Sequence, residues 1–99
     1  MPHIKDYKGK RAHMIGIGGS SMSGLAGMLK KAGVTVTGSY GTASYMTRML
    51  QNQGIEVHIG HSAENVRGAD LVIYSAAISQ ENPERAEAAR RSLRRIRSM

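Results

Sequence analysis

The chain contains no cysteine, which rules out disulfides and thiolate chemistry and fits a reducing cytoplasm. It has no run of about 18 apolar residues, so no transmembrane helix is expected. Its start, Met1-Pro2-His3-Ile4-Lys5-Asp6, lacks the apolar core of a signal peptide. A cytoplasmic location is the expectation. No GxxxxGK[ST] loop occurs anywhere, so ATP binding of the Walker A type is excluded for these residues. Aromatic residues are scarce, with four tyrosines and nothing else.

What is present is enough for one globular domain. Ninety-nine residues with 40% hydrophobic and 21% charged side chains suit a single folded unit over residues 1–99. The net charge of +7 is unevenly spread. Residues 1–84 carry eight Lys/Arg against six Asp/Glu, whereas residues 85–99 carry six Arg against one Glu. The basic character therefore belongs to the tail, which suggests a solvated end or an interaction segment. No aromatic residue interleaves with these arginines, which weighs against a nucleic-acid partner.

Hydrophobic periodicity gives an alternating pattern. Residues 12–17 read as a strand ending in glycines. Residues 21–32 follow with Met22, Leu25, Ala26 and Leu29 at helical spacing, and Gly33 lies beyond. The β-branched run 34–37 reads as a second strand. Residues 42–53 read as a helix, 55–59 as a strand, 62–66 as one helical turn capped by Ser62, and 69–75 as a buried strand. Asn82-Pro83 opens a last helix with proline at its first position. Ala86, Ala89, Leu93 and Ile96 keep helical spacing, so that helix is predicted to run on through a basic tail at 90–99. This order predicts an α/β, Rossmann-like three-layer domain with a four-stranded parallel sheet of order 3-2-1-4.

The most informative segment is Gly16-Ile17-Gly18-Gly19-Ser20-Ser21-Met22-Ser23-Gly24. A strand that turns sharply into a helix through glycines presents free N–H groups and the positive end of the helix dipole. Gly16 and Gly18 allow close backbone approach, and Ser20, Ser21 and Ser23 add hydroxyls. This is an anion site suited to a diphosphate. An NAD site would also need an acidic residue at the end of the second strand. That region reads Gly38-Ser39-Tyr40-Gly41, which disfavours the dinucleotide.

The segment from His13 through Ala26 resembles the start of the Mur ligases. Gly60-His61-Ser62-Ala63-Glu64-Asn65-Val66 resembles the same family, as does Ser75-Ala76-Ala77-Ile78 with Asn82-Pro83-Glu84. These motifs occur in the family's order and span about residues 10–90. The resemblance implies an N-terminal domain that binds the UDP part of UDP-N-acetylmuramate. It implies that Gly16, Gly18, Gly19, Ser20, Ser21, Met22 and Ser23 take the diphosphate. It further implies that Ser39, His61, Ser75, Ala76 and Ala77 line the uridine side. The family's ATP and Mg²⁺ belong to a separate domain, so no cofactor, no metal and no catalytic residue is expected here, and the isolated chain is expected to be inactive as a ligase.

Two departures from the family pattern support a competing reading. Tyr40 stands where the family has aspartate, and the tail replaces a Gly-Ile-Pro strand. A truncated or engineered scaffold would keep the fold without the ligand. It would self-associate through Tyr40, Tyr45, Met46 and Met49, or through the edge that a four-stranded sheet leaves on its last strand. His58 and His61 lack the further ligands a metal site requires. Glu64 and Asp70 have no partner for acid–base work.

Overall fold

The computed structural model describes residues 4–98. Its elements are a 3-10 turn Ile4–Tyr7, β1 (Arg11–Ile15), α1 (Ser20–Lys31), β2 (Thr35–Tyr40), α2 (Tyr45–Asn52), β3 (Glu56–Ile59), a 3-10 turn Ala63–Val66, β4 (Leu71–Ser75), α3 (Pro83–Arg90) and β5 (Arg94–Ser98). The strands form one parallel sheet in the order β3-β2-β1-β4-β5.

Side chains alternate across the pleat, and each face finds its own cover. On one face Ala12, Met14, Val36, Leu71 and Ile73 pack against Met22, Ala26 and Leu29 of α1 and Leu50 of α2. Each fully buried methionine, leucine, isoleucine or valine side chain here contributes about 1.5–3 kcal/mol. On the other face Ile15 and Val72 meet Val66 and Ala88. That second face is mixed, because His13, Thr37 and Ser39 point the same way and are buried as well. The start of α2 is closed by a reciprocal capping box between Ser44 and Thr47, which satisfies two otherwise orphan groups.

The tail corrects two expectations. Residues 91–98 are not a helical extension, and the sheet has a fifth strand; Met99 of the expected tail lies outside the described residues. Helix α3 ends at Arg90, and Ser92 takes a left-handed backbone with φ 55°, which a helix cannot continue. Beyond it Arg94–Ser98 pairs along the whole of β4, from Leu71↔Arg94 to Ser75↔Ser98. Strand pairing satisfies the N–H and C=O groups that β4 would otherwise leave open. Alternation then sends Ile96 into the α1-side core and Arg95 and Arg97 to the opposite face, where they are exposed; Arg94, which begins the strand on the Ile96 side, is exposed as well. Self-association through an open edge on β4 is thereby excluded, since β5 covers it. The new edge carries three arginines, and like charges oppose pairing with a second copy.

Serine is a costly residue at the left-handed Ser92 position. Ser92→Gly is expected to stabilise the fold by about 0.5–1 kcal/mol, read as an increased urea midpoint. No change or a loss would mean that the turn is held by something other than its backbone.

Candidate functional site

The turn after β1 is built by its backbone. Gly16 sits at φ +83°, a conformation with no steric cost only for glycine. The N–H groups of Gly16 and Ile17 both donate to the Ser39 carbonyl at 2.9 Å, so the turn is fastened to the end of β2. Gly19 is the N-cap of α1 and brings no side-chain cap. The N–H groups of Ser20, Ser21 and Met22 are therefore the orphan donors of a twelve-residue helix, with no acidic residue in its first turn.

The side chains around the turn are arranged differently from the sequence expectation. Ser20 and Ser21 are exposed. Ser23 Oγ donates to the Ser20 carbonyl at 2.9 Å, so it serves the helix itself. The Met22 side chain is buried in the core, which leaves only its backbone N–H to face outward. A Cβ on Gly18 would lie 2.6–2.8 Å from three carbons of the Tyr40 ring. Tyr40 is thus seated on the loop and is not a free surface tyrosine, whereas Tyr45 is 76% exposed and Met49 is half-buried. The β4–α3 loop closes on the turn from the other side: a Cβ on Gly16 would meet Ile78 Cδ1 at 3.3 Å. That loop is held by Arg85, whose Nη1 donates to the Ile78 carbonyl at 2.6 Å while its guanidinium lies 4.4 Å from the Tyr74 ring centroid. Ala76 and Ala77 in the same loop are exposed, and Ser75 Oγ accepts from Ala77 N at 3.3 Å.

Sequence reading missed the residue on which the most segments converge. Glu84 is fully buried on the second residue of α3. Its Oε1 accepts from His13 Nε2 at 2.5 Å and from Ser39 Oγ at 2.6 Å. Its Oε2 accepts from Ser62 N and Asn65 Nδ2, each at 3.0 Å, and from His61 Nδ1 at 3.2 Å. One carboxylate thereby ties α3 to β1, β2 and the loop after β3. Asn82 caps the helix that carries it, accepting from Glu84 N at 2.9 Å. Ser39 is wholly buried in this network, so it reaches the site only through His61, whose side chain is 26% exposed. His58 and His61 diverge, with His58 Nε2 on Glu56 at 2.7 Å. A signal for the network was available: His13 is a polar residue inside an otherwise apolar strand, and buried polar groups need partners.

Burial alone pushes the Glu84 carboxyl up, but hydrogen bonds from His13, Ser39 and Asn65, with electrostatic attraction to His13, outweigh it and hold the group at about 2, against 4.5 ordinarily. A folded-state pKa below the unfolded value means that the unfolded chain binds the proton first. The stability Glu84 contributes is therefore complete above about pH 4.5 and is lost as pH falls toward about 2, on the order of 3 kcal/mol in all. Urea titrations at pH 6, 4 and 3 are expected to show this decline, and Glu84→Gln is expected to flatten it. An equally steep decline in the variant would assign the acid sensitivity to other carboxyls.

A surface recess of about 720 Å³ lies away from this edge on the outer side of α1 and is lined by Gly24, Gly27, Met28, Lys30, Lys31 and Gln53. No buried polar side chain among the described residues lines it, so the backbone donors and the polar network, not concavity, locate the candidate site. No helix among the described residues is long and apolar enough to cross a membrane.

Comparison with known proteins identifies the family. Residues 11–99 match the family described as Mur ligase family, catalytic domain. The chain is 52% identical over 81 residues to UDP-N-acetylmuramate–L-alanine ligase of Acetivibrio thermocellus, covering 82% of this chain and 17% of that protein. It is 46% identical over 91 residues to the Clostridium botulinum (strain Kyoto) enzyme of the same name, covering 92% and 20%. Among solved structures it is similar to UDP-N-acetylmuramate-alanine ligase of Thermotoga maritima, with a TM-score of 0.86 and 33% identity over 89% of this chain and 20% of that one. The chain spans about a fifth of the length of these relatives. With matching motifs, fold and sequence over nearly all of its residues, the chain belongs to the Mur ligase family.

Proposed function

We propose that this chain binds the UDP moiety of UDP-N-acetylmuramate and is the nucleotide-holding, non-catalytic part of an amino-acid ligase. The observation that carries the reading is the uncapped first turn of α1 behind Gly16-Ile17-Gly18-Gly19. It opens at the carboxyl edge of the sheet beside β1, where the strand order reverses between β2 and β4. Open α/β sheets bind ligands at such a switch point. The diphosphate takes the N–H groups of Ser20, Ser21 and Met22, with Gly18 and Gly19 giving it room. The uridine lies toward His61 on one side and Ser75, Ala76 and Ala77 on the other, with Ser39 acting behind His61. Similar proteins named for UDP-N-acetylmuramate support the choice of ligand. The family's ATP-dependent activation of the substrate is not assigned to these residues, which contain no Walker A loop.

A calorimetric or NMR titration of the purified chain with UDP-N-acetylmuramate tests this, with NADH as the control. Saturable binding with amide shifts over residues 18–23, and none with NADH, is expected. Silence up to millimolar UDP-sugar would overturn it and favour a scaffold that has kept only the fold.

A further inference from the structure

His61 has two possible neutral tautomers, and its neighbours select one. Nδ1 lies 3.1 Å from Ser39 Oγ and 3.2 Å from Glu84 Oε2. The ionised carboxylate can only accept. Ser39 has a single hydroxyl hydrogen, and it is donated to Glu84 Oε1 at 2.6 Å. Toward His61 the serine oxygen is therefore an acceptor too. With acceptors on both sides, Nδ1 must carry the proton, and in the neutral ring Nε2 is left with a lone pair.

The same carboxylate fixes where that ring stands. Oε2 also receives Ser62 N and Asn65 Nδ2, so the backbone after His61 and the following 3-10 turn are anchored to the atom that orients the imidazole. The anchor itself is rigid: Oε1 is held from the strands by His13 and Ser39, and both of those residues and Glu84 are 0% exposed.

We infer that Glu84 is a positioning residue that locks His61 in its Nδ1–H form, so that Nε2 is presented to the nucleotide as a hydrogen-bond acceptor. The inference rests on the nucleotide reading above for the identity of the ligand, though not for the tautomer. An acceptor at this point selects a ligand atom that bears hydrogen, such as the imide N–H of uracil or a ribose hydroxyl. It rejects one that offers only a lone pair, because two acceptors left facing each other cost binding energy. The histidine supplies the contact, and the glutamate, which does not touch the ligand, determines its sense.

The test separates these roles. In ¹⁵N-histidine-labelled free protein, long-range proton–nitrogen spectra are expected to show His61 (assigned with His61→Gln) as the Nδ1–H tautomer. Glu84→Gln keeps the shape but places an N–H₂ where one carboxylate oxygen faced two donors or the other faced three, and those donors lose their acceptor. His61 is then expected to show mixed tautomers, and UDP-N-acetylmuramate affinity is expected to fall at least tenfold with the circular dichroism spectrum retained. Should Glu84→Gln not fold, Ser39→Ala removes one of the two acceptors at Nδ1 and is expected to weaken the tautomer preference and binding in the same direction. An Nε2–H tautomer in the parent protein overturns the inference, as does a folded Glu84→Gln that binds like the parent. Absence of binding by the parent would instead overturn the nucleotide reading, and the free-protein spectrum would still decide how Glu84 holds His61.

Discussion

Replacing Glu84 with alanine is expected to cost about 3–5 kcal/mol of folding stability, the largest effect of any single polar truncation in the domain. The reason is asymmetry. His13 Nε2 and Ser39 Oγ are wholly buried, so losing their acceptor leaves both donors desolvated and unpaired, at about 1–3 kcal/mol each. Ser62 N, Asn65 and His61 are only partly buried, and water can replace the carboxylate there. A domain of this size has a total stability of about 5–15 kcal/mol, and each kcal/mol moves the melting temperature by about 4–8 °C. Thermal denaturation at pH 7 should therefore show a drop on the order of 15–30 °C. Removing the donor as well tests the cause: His13→Leu and Thr37→Val with Glu84→Ala should be more stable than Glu84→Ala alone, because neither an unpaired imidazole nor the Thr37 hydroxyl that His13 Nδ1 meets at 2.8 Å remains on that face. A loss under about 1 kcal/mol for Glu84→Ala would mean that the network contributes orientation and little stability.

The parts of the fold that rest on local signals were legible in the sequence. Glycines after an apolar strand, a 3.6 period in α1, β-branched residues in β2 and Asn-Pro at the start of α3 each leave a mark within a few residues. Alternation of these elements then implies a parallel sheet with β1 beside both β2 and β4. The fifth strand left no such mark. Arg94, Arg95 and Arg97 are poor strand residues by composition, and Leu93 and Ile96 fit a helical period equally well. What decides the matter is the open side of β4 and the left-handed Ser92, neither of which a local window contains. The candidate site divides in the same way. The glycine-rich turn into an uncapped helix is contiguous and was readable. The carboxylate network joins His13 to Glu84 across 71 positions of sequence, and only the folded chain brings them together. The family resemblance puts Ser39 on the uridine side, and the fold adds that its hydroxyl is turned inward to Glu84. Tyr40 looked like an exposed interface residue, yet its ring covers Gly18.

Gly38→Ala is expected to damage stability and binding together, because one contact serves both. Gly38 lies in the middle of β2, between Met14 of β1 and Val57 of β3. A Cβ there would stand 2.4 Å from Ile17 Cδ1, 2.6 Å from Ile17 Cβ and 2.8 Å from Ile17 Cγ2. A rotamer change can remove Cδ1 from the clash but leaves Cβ in place, so relief requires the Ile17 backbone to move. That backbone belongs to the glycine-rich turn and is pinned by the paired 2.9 Å bonds to the Ser39 carbonyl. Overpacking of this kind costs about 1–3 kcal/mol, offset by about 0.5–1 kcal/mol because alanine is the better strand residue. The net expectation is a loss of about 1–2 kcal/mol in urea denaturation. Displacing the turn also misaims the N–H groups of Ser20, Ser21 and Met22, so UDP-N-acetylmuramate should bind at least tenfold more weakly, about 1.4 kcal/mol. Trimming the side chain discriminates between the explanations. Ile17→Val keeps both Cβ and a branched methyl, so Gly38→Ala/Ile17→Val should remain as impaired as Gly38→Ala. Full rescue by valine would mean that only Cδ1 matters and that the turn tolerates a side chain on β2. Parent-like stability and affinity in Gly38→Ala itself would mean that the close approach of β2 to the turn has no part in shaping the site.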